Sequence, residues 1–80
     1  MDEQNMEKLL DLIADICGDE VVREEQDIDL FEEGLLDSMA AIELLVGIED
    51  VFGITIAPTE LDRSEMNTVN LIAARVAERM

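Results

Sequence analysis

From Asp2 to Cys17 the apolar residues Met6, Leu9, Leu10, Ile13, Ile16 and Cys17 recur at helical spacing, which predicts an amphipathic helix with one buried stripe. Gly18 follows directly as a C-terminal stop, and Asp11 and Asp15 fall off the stripe toward solvent. The stretch from Ser38 to Phe52 reads differently, because nearly every face of it is apolar. Ala41, Leu44, Leu45, Ile48 and Phe52 form one stripe at helical spacing and are assigned to the core. Ile42 and Val46 lie to one side, flanked by Glu43, Glu49 and Asp50. A third helix follows a Thr68 cap, with Val69, Ile72, Ala73, Val76, Ala77 and Met80 as its apolar stripe and Arg75 and Arg79 complementing its dipole.

The connections are uneven. Gly18 to Asp37 is long and charged, but Val21, Val22, Ile28, Leu30, Phe31, Leu35 and Leu36 interrupt it, so it is expected to pack down on the helices. Gly53 ends the second helix, and Ile54-Thr55-Ile56 is an extended connector whose isoleucines pin it to the core, since a lone three-residue strand has nothing to pair with. Pro58 and Thr59 introduce a short helical turn through Glu60, Leu61 and Asp62. Gly47, inside the second helix, costs about 1 kcal/mol relative to alanine and is expected to allow close approach of another backbone. The sum is a small all-α bundle of three main helices and one short one, with a long first loop and a single domain over residues 1–80.

The chemistry collects where the loop meets the second helix, at Gly34-Leu35-Leu36-Asp37-Ser38-Met39. Asp37 is a preferred N-cap type, Ser38 opens the first turn, and Gly34 gives the approach its backbone freedom. Unpartnered N–H groups and the positive end of the helix dipole favour a phosphate there, so a phosphate on the Ser38 hydroxyl fits. The plainer alternative is a serine and an aspartate that only cap a helix.

Composition excludes more than it identifies. A chain of 80 residues buries only about 60% of its extended-chain surface, which leaves no room for a large enclosed active site. There is no Trp, Tyr or His and only two Phe, Phe31 and Phe52, so the core is aliphatic. Without histidine there is no Ser-His-Asp triad or Cys-His dyad, and the single Cys17 reads as a small buried hydrophobe in a reduced setting. Asp27 and Asp29 resemble the start of a calcium loop, but Phe31 and Glu32 occupy the next ligand position and the required glycine, so no metal site is expected. The formal net charge is −16, and no basic residue stands between Arg23 and Arg63. Such a field repels nucleic acid and anionic lipid and speeds encounter with basic protein surfaces. Ile42 and Val46 beside acidic residues have the makings of a partner-docking strip, the alternative being that both pack inside. Met1-Asp2-Glu3-Gln4 has neither the positive nor the apolar region of a signal peptide, and no apolar run approaches a spanning length, so a cytoplasmic protein is expected.

Leu36-Asp37-Ser38-Met39, then Ile42-Glu43-Leu44-Leu45, then Glu49-Asp50-Val51-Phe52-Gly53-Ile54 resembles the acyl and peptidyl carrier proteins over nearly the whole chain. The resemblance implies a helical carrier bundle with 4′-phosphopantetheine attached covalently to Ser38, Asp37 as the flanking motif residue, and no catalytic residue of its own. It makes the second helix the recognition helix, with Met39, Ile42, Glu43, Val46, Glu49 and Asp50 as docking residues. The implied partners are a phosphopantetheinyl transferase, an ATP-dependent ligase and a downstream acyltransferase, met by a monomer. Asp62-Arg63, Thr68 and Asn70-Leu71-Ile72 further resemble the D-alanyl carrier branch, which supplies teichoic acids of Gram-positive envelopes. Met66 and Val69 depart from it, standing where that branch has Trp and Pro. A carrier for fatty-acid, polyketide or nonribosomal peptide assembly is the second expectation, and an unmodified acidic adaptor the third.

Overall fold

The computed structural model describes residues 2–80 and contains three α-helices, α1 (Glu3–Cys17), α2 (Ser38–Phe52) and α3 (Val69–Glu78), joined by two short 3-10 turns (Glu20–Arg23 and Arg63–Glu65). Met1, the first residue of the stretch weighed as a signal peptide, lies outside the described residues. Each helix begins where a capping side chain stands. The Asp2, Asp37 and Thr68 side chains accept from the backbone N–H groups of Asn5, Ala40 and Leu71, each satisfying a donor that the first turn would leave unpaired. At the far ends of α1 and α2, Gly18 and Gly53 take the left-handed conformation, with φ of 69° and 70°. Their N–H groups donate to the carbonyls of Ala14 and Glu49.

The core lies where the three stripes meet. Leu9 and Ile13 of α1, Leu44 and Ile48 of α2, and Val69, Ile72 and Val76 of α3 are buried together with Val22, Leu30, Leu36 and Ile56 from the connections. The long first loop is therefore packed down, as its apolar residues predict. It is also stitched to the start of α3, where Leu30 N–H donates to the Asn67 carbonyl at 2.7 Å and Asn70 N–H to the Gln26 carbonyl at 3.1 Å.

Four expectations need correction. The short helical element falls at Arg63–Glu65, three residues later than Glu60–Asp62, because Asp62 caps it: the Glu65 side chain accepts from the Asp62 N–H at 3.0 Å. Pro58–Glu60 is only a turn, closed by Glu60 N–H to the Ala57 carbonyl. Gly47 faces a side chain rather than a backbone; a Cβ there would stand 2.6 Å from Leu12 Cδ1. The apolar stripe of α3 ends at Val76, since Ala77 and Met80 are exposed where the helix runs out past the bundle. Finally, the 3-10 turn at Glu20–Arg23, capped by the Asp19 side chain on Val21 N–H, was not foreseen inside the loop. Among the described residues no helix is long and apolar enough to cross a membrane.

The candidate attachment site at the start of the second helix

The loop delivers Ser38 by a series of backbone constraints. Asp29 Oδ1 accepts from the N–H groups of Phe31 and Glu32, at 3.0 and 3.1 Å, and turns the chain. Gly34 then adopts φ 73°, and the N–H groups of Leu35 and Leu36 both donate to the Leu30 carbonyl, at 2.9 and 3.0 Å. With Leu30 and Leu36 buried, the chain leaves the core at one defined point. Asp37 is extended (φ −127°, ψ −176°) and its Oδ1 accepts from Ala40 N–H at 2.8 Å. Ser38 is thus the first residue of α2, exposed, at the positive end of a 15-residue helix.

Asp27 and Asp29, considered for calcium, hold the loop to α3 instead. Asp27 accepts from Asn70 Nδ2 at 2.7 Å, and Asp29 Oδ2 from Asn67 Nδ2 at 3.0 Å. Their lone pairs go to amide donors, and no cluster of metal-ligating side chains is present among the described residues.

Opposite Ser38 stands a residue that sequence reasoning did not place in the site. Arg63 Nη2 donates to Ser38 Oγ at 3.4 Å, and the Arg63 guanidinium lies over the Phe31 ring, 4.4 Å from its centroid. Together with Ala41, Ile42, Leu45, Pro58, Leu61 and Met66 these three residues line a cleft of about 170 Å³ between α2 and the 58–66 segment. The available signal was charge: Arg63 is the first basic residue after Arg23, and it folds back onto the serine. A larger hollow of about 380 Å³ at the end of α1 is lined by Asp11, Asp15, Asp19 and Glu20, and its one cation, Arg23, is already paired with Asp11 and Glu20 at 2.6 and 3.0 Å. Those carboxylates hold the Arg23 guanidinium above its usual range, the Asp11 hydrogen bond first. That hollow has no positive charge left for an anion.

The outer side of α2 carries the other expected residues. Met39, Ile42 and Val46 are 74%, 49% and 55% exposed, and Glu43, Glu49 and Asp50 are exposed around them. Ile42 and Val46 do not pack inside, so one of the two alternatives open in the sequence is removed. Ile42 also borders the cleft beside Ser38, which makes strip and cleft continuous. Val51, 43% exposed, was not anticipated. Cys17 is half-buried, and burial, followed by the nearby Asp19, pushes its thiol above the ordinary range.

An exposed hydroxyl at a helix N-terminus, a guanidinium beside it and an apolar cleft suit a phosphodiester and the start of a flexible arm. Comparison with known proteins gives the family. Residues 7–76 match the family described as a phosphopantetheine attachment site. The D-alanyl carrier protein of Bacillus velezensis is 50% identical over 72 residues, 90% of this chain and 92% of the relative. Those of Lactococcus lactis subsp. cremoris and Bacillus subtilis are 52% and 46% identical over 91% and 90% of this chain, each covered for 92% of its length. Such proteins carry covalently bound 4′-phosphopantetheine, are served in general by a phosphopantetheinyl transferase and by ligases, and are carriers rather than enzymes. This chain belongs to the phosphopantetheine-binding carrier family.

Proposed function

We propose that residues 1–80 act as one carrier domain that holds D-alanine as a thioester on a 4′-phosphopantetheine arm attached to Ser38. The observation that carries the attachment point is Ser38 itself, an exposed hydroxyl at the N-terminus of α2 with a guanidinium 3.4 Å away. D-alanine is supported by the names of relatives about half identical along nearly their full length. The Met66 and Val69 departures are compatible with it: Met66 fills the core apolar for apolar, and Val69 stands at the first position of α3, where the N–H has no intrahelical partner and proline is interchangeable.

In the attachment step Ser38 Oγ forms a bond to the β-phosphorus of coenzyme A as the pyrophosphate bond breaks. Adenosine 3′,5′-bisphosphate leaves, and the hydroxyl proton passes to a base on the transferase. Asp37 fixes the first turn, and the N-terminus of α2 offers a favourable potential for the diester that results. When bound, the arm supplies the thiol that holds the cargo. Met39, Ile42 and Val46 provide a small apolar contact, and Glu43, Glu49 and Asp50 steer basic partner surfaces toward it. Fast, weak docking suits a carrier that visits a transferase, an ATP-dependent ligase and a downstream acyltransferase in turn, because tethering already gives the cargo a high effective concentration at each site. We read the protein as a cytoplasmic monomer, where coenzyme A and ATP are at hand and the serine is open to each partner. As in the branch it resembles, the D-alanine would be destined for teichoic acids.

The test is intact mass. With coenzyme A, magnesium and a broad-specificity transferase, the wild type gains one phosphopantetheine and Ser38→Ala gains none while keeping its helical circular dichroism. The loaded form then gains D-alanine, and not a fatty acyl group, from an ATP-dependent D-alanine ligase. A folded, unmodified wild type without mass gain would leave Ser38 as merely the first residue of α2 and the protein as an adaptor.

A further inference from the structure

The feature that attachment alone does not explain is Arg63. Of the four arginines, Arg23, Arg75 and Arg79 each have a carboxylate within ion-pairing distance, from Asp11, from Glu78 and from Glu60 among others. Arg63 has no carboxylate partner among the described residues, although the chain carries 21 acidic residues. Its guanidinium instead lies over Phe31 and reaches Ser38 Oγ. Resting on the Ser38 reading, we propose that Arg63, seated on Phe31, binds the phosphodiester that joins the arm to Ser38 and thereby sets the direction in which the arm leaves α2.

The geometry supports this step by step. A phosphorus bonded to Ser38 Oγ places its two unesterified oxygens one bond further out, within reach of a fork whose Nη2 is 3.4 Å from the ester oxygen. The fork is held in place. It stacks on Phe31, whose N–H is fixed by Asp29 Oδ1 at 3.0 Å, and Asp29 Oδ2 is in turn held by Asn67 Nδ2 at 3.0 Å. The diester adds negative charge to a chain already at −16, so an unengaged cation at this one place offsets the repulsion locally. Because Arg63 also lines the cleft between α2 and the 58–66 segment, a diester held by it starts the arm over that cleft, past Leu61, and leaves Met39 and Val46 uncovered for partners.

The experiment compares apo and holo protein, with the mass gain confirmed first so that failure of the Ser38 reading is seen separately. In the wild type, conversion to the holo form shifts the Arg63 Nε–H resonance and slows its exchange with water roughly 2- to 5-fold, an exposed pair's protection. The phosphorus-31 resonance of the diester moves between wild type and Arg63→Gln, with Arg63→Lys in between, since lysine keeps the charge and loses the stacked fork. High salt brings the wild-type resonance toward that of the Gln variant. An Arg63 Nε–H unchanged from apo to holo, or one phosphorus resonance for folded holo wild type and Arg63→Gln, overturns the assignment. The apo–holo comparison needs no variant, so it stands if Arg63→Gln folds poorly. Absence of any mass gain would sink both the Ser38 reading and this inference.

Discussion

Helices α1 and α2 are built to the same plan and used differently. Both have 15 residues, an aspartate N-cap and a left-handed glycine at the C-cap. α1 buries Leu9, Ile13 and Ala14 and turns Glu3, Glu7, Lys8, Asp11 and Asp15 outward. α2 buries Leu44, Leu45 and Ile48 and yet leaves Met39, Ile42, Val46 and Val51 in water. The end signals and the buried stripe are enough to form a helix and seat it, as α1 demonstrates. Met39, Ile42 and Val46 stand in one strip beside carboxylates and next to Ser38, whereas Val51 borders α1 beside Lys8, Leu12 and Asp15, so the strip is the part of α2 whose exposed apolar surface suits a partner.

The sharpest way to break this comparison is to truncate one residue on each side of α2. Leu44→Ala, fully buried, costs about 2–5 kcal/mol in urea unfolding, as Leu9→Ala does on α1. Ile42→Ala and Val46→Ala change stability by no more than about 0.5 kcal/mol, while slowing ligase loading. Equal loss of stability at Ile42 and Leu44 would erase the distinction between the two faces.

Charge gives a smaller effect. Glu43→Lys combined with Glu49→Lys slows loading on the order of tenfold at low salt, and the difference narrows as ionic strength passes about 0.15 M. Glu7→Lys on the exposed side of α1 leaves loading unchanged. Loading rates independent of salt and of both α2 carboxylates would count against electrostatic docking.

The smallest effect joins the helices at their contact. Gly47→Ala gains about 1 kcal/mol in helix propensity, but the new methyl meets Leu12 Cδ1 at 2.6 Å. The net change is within about 0.5 kcal/mol. With Leu12→Ala already in place, Gly47→Ala stabilises by about 1 kcal/mol. Additivity in that double-mutant cycle would show that Leu12 does not restrain Gly47.

Helix ends were legible because they depend on local chemistry. Asp37, Gly53 and Thr68 each act within four residues of themselves, and α2 runs from Ser38 to Phe52 as its pattern predicts. On its outer side, period and charge set Ile42 and Val46 beside the stripe but leave packing inside as an equal alternative, which only their exposure in the fold removes. What escaped was non-local. Arg63 meets Ser38 across 25 positions, and no periodicity links a residue of one short turn to the first residue of a helix. The occupant of the space beside Gly47 was equally out of reach, since it depends on how α1 crosses α2. The pattern places the short turn too early because Thr59 reads as its cap and Asp62 as part of the turn, whereas Asp62 is the N-cap and Glu65, three residues on, completes the capping pattern.

The hydrogen bonds from the first loop to the start of α3 set an order of events during synthesis. Leu30, Asp29, Asp27 and Gln26 find their partners at Asn67 and Asn70, 37 to 44 positions later. Ser38 therefore emerges well before the residues that fix the loop in front of it. A nascent or truncated chain ending short of Asn67 has the serine but none of the partners that hold the loop in front of it, so the geometry around Ser38 belongs to the closed bundle alone.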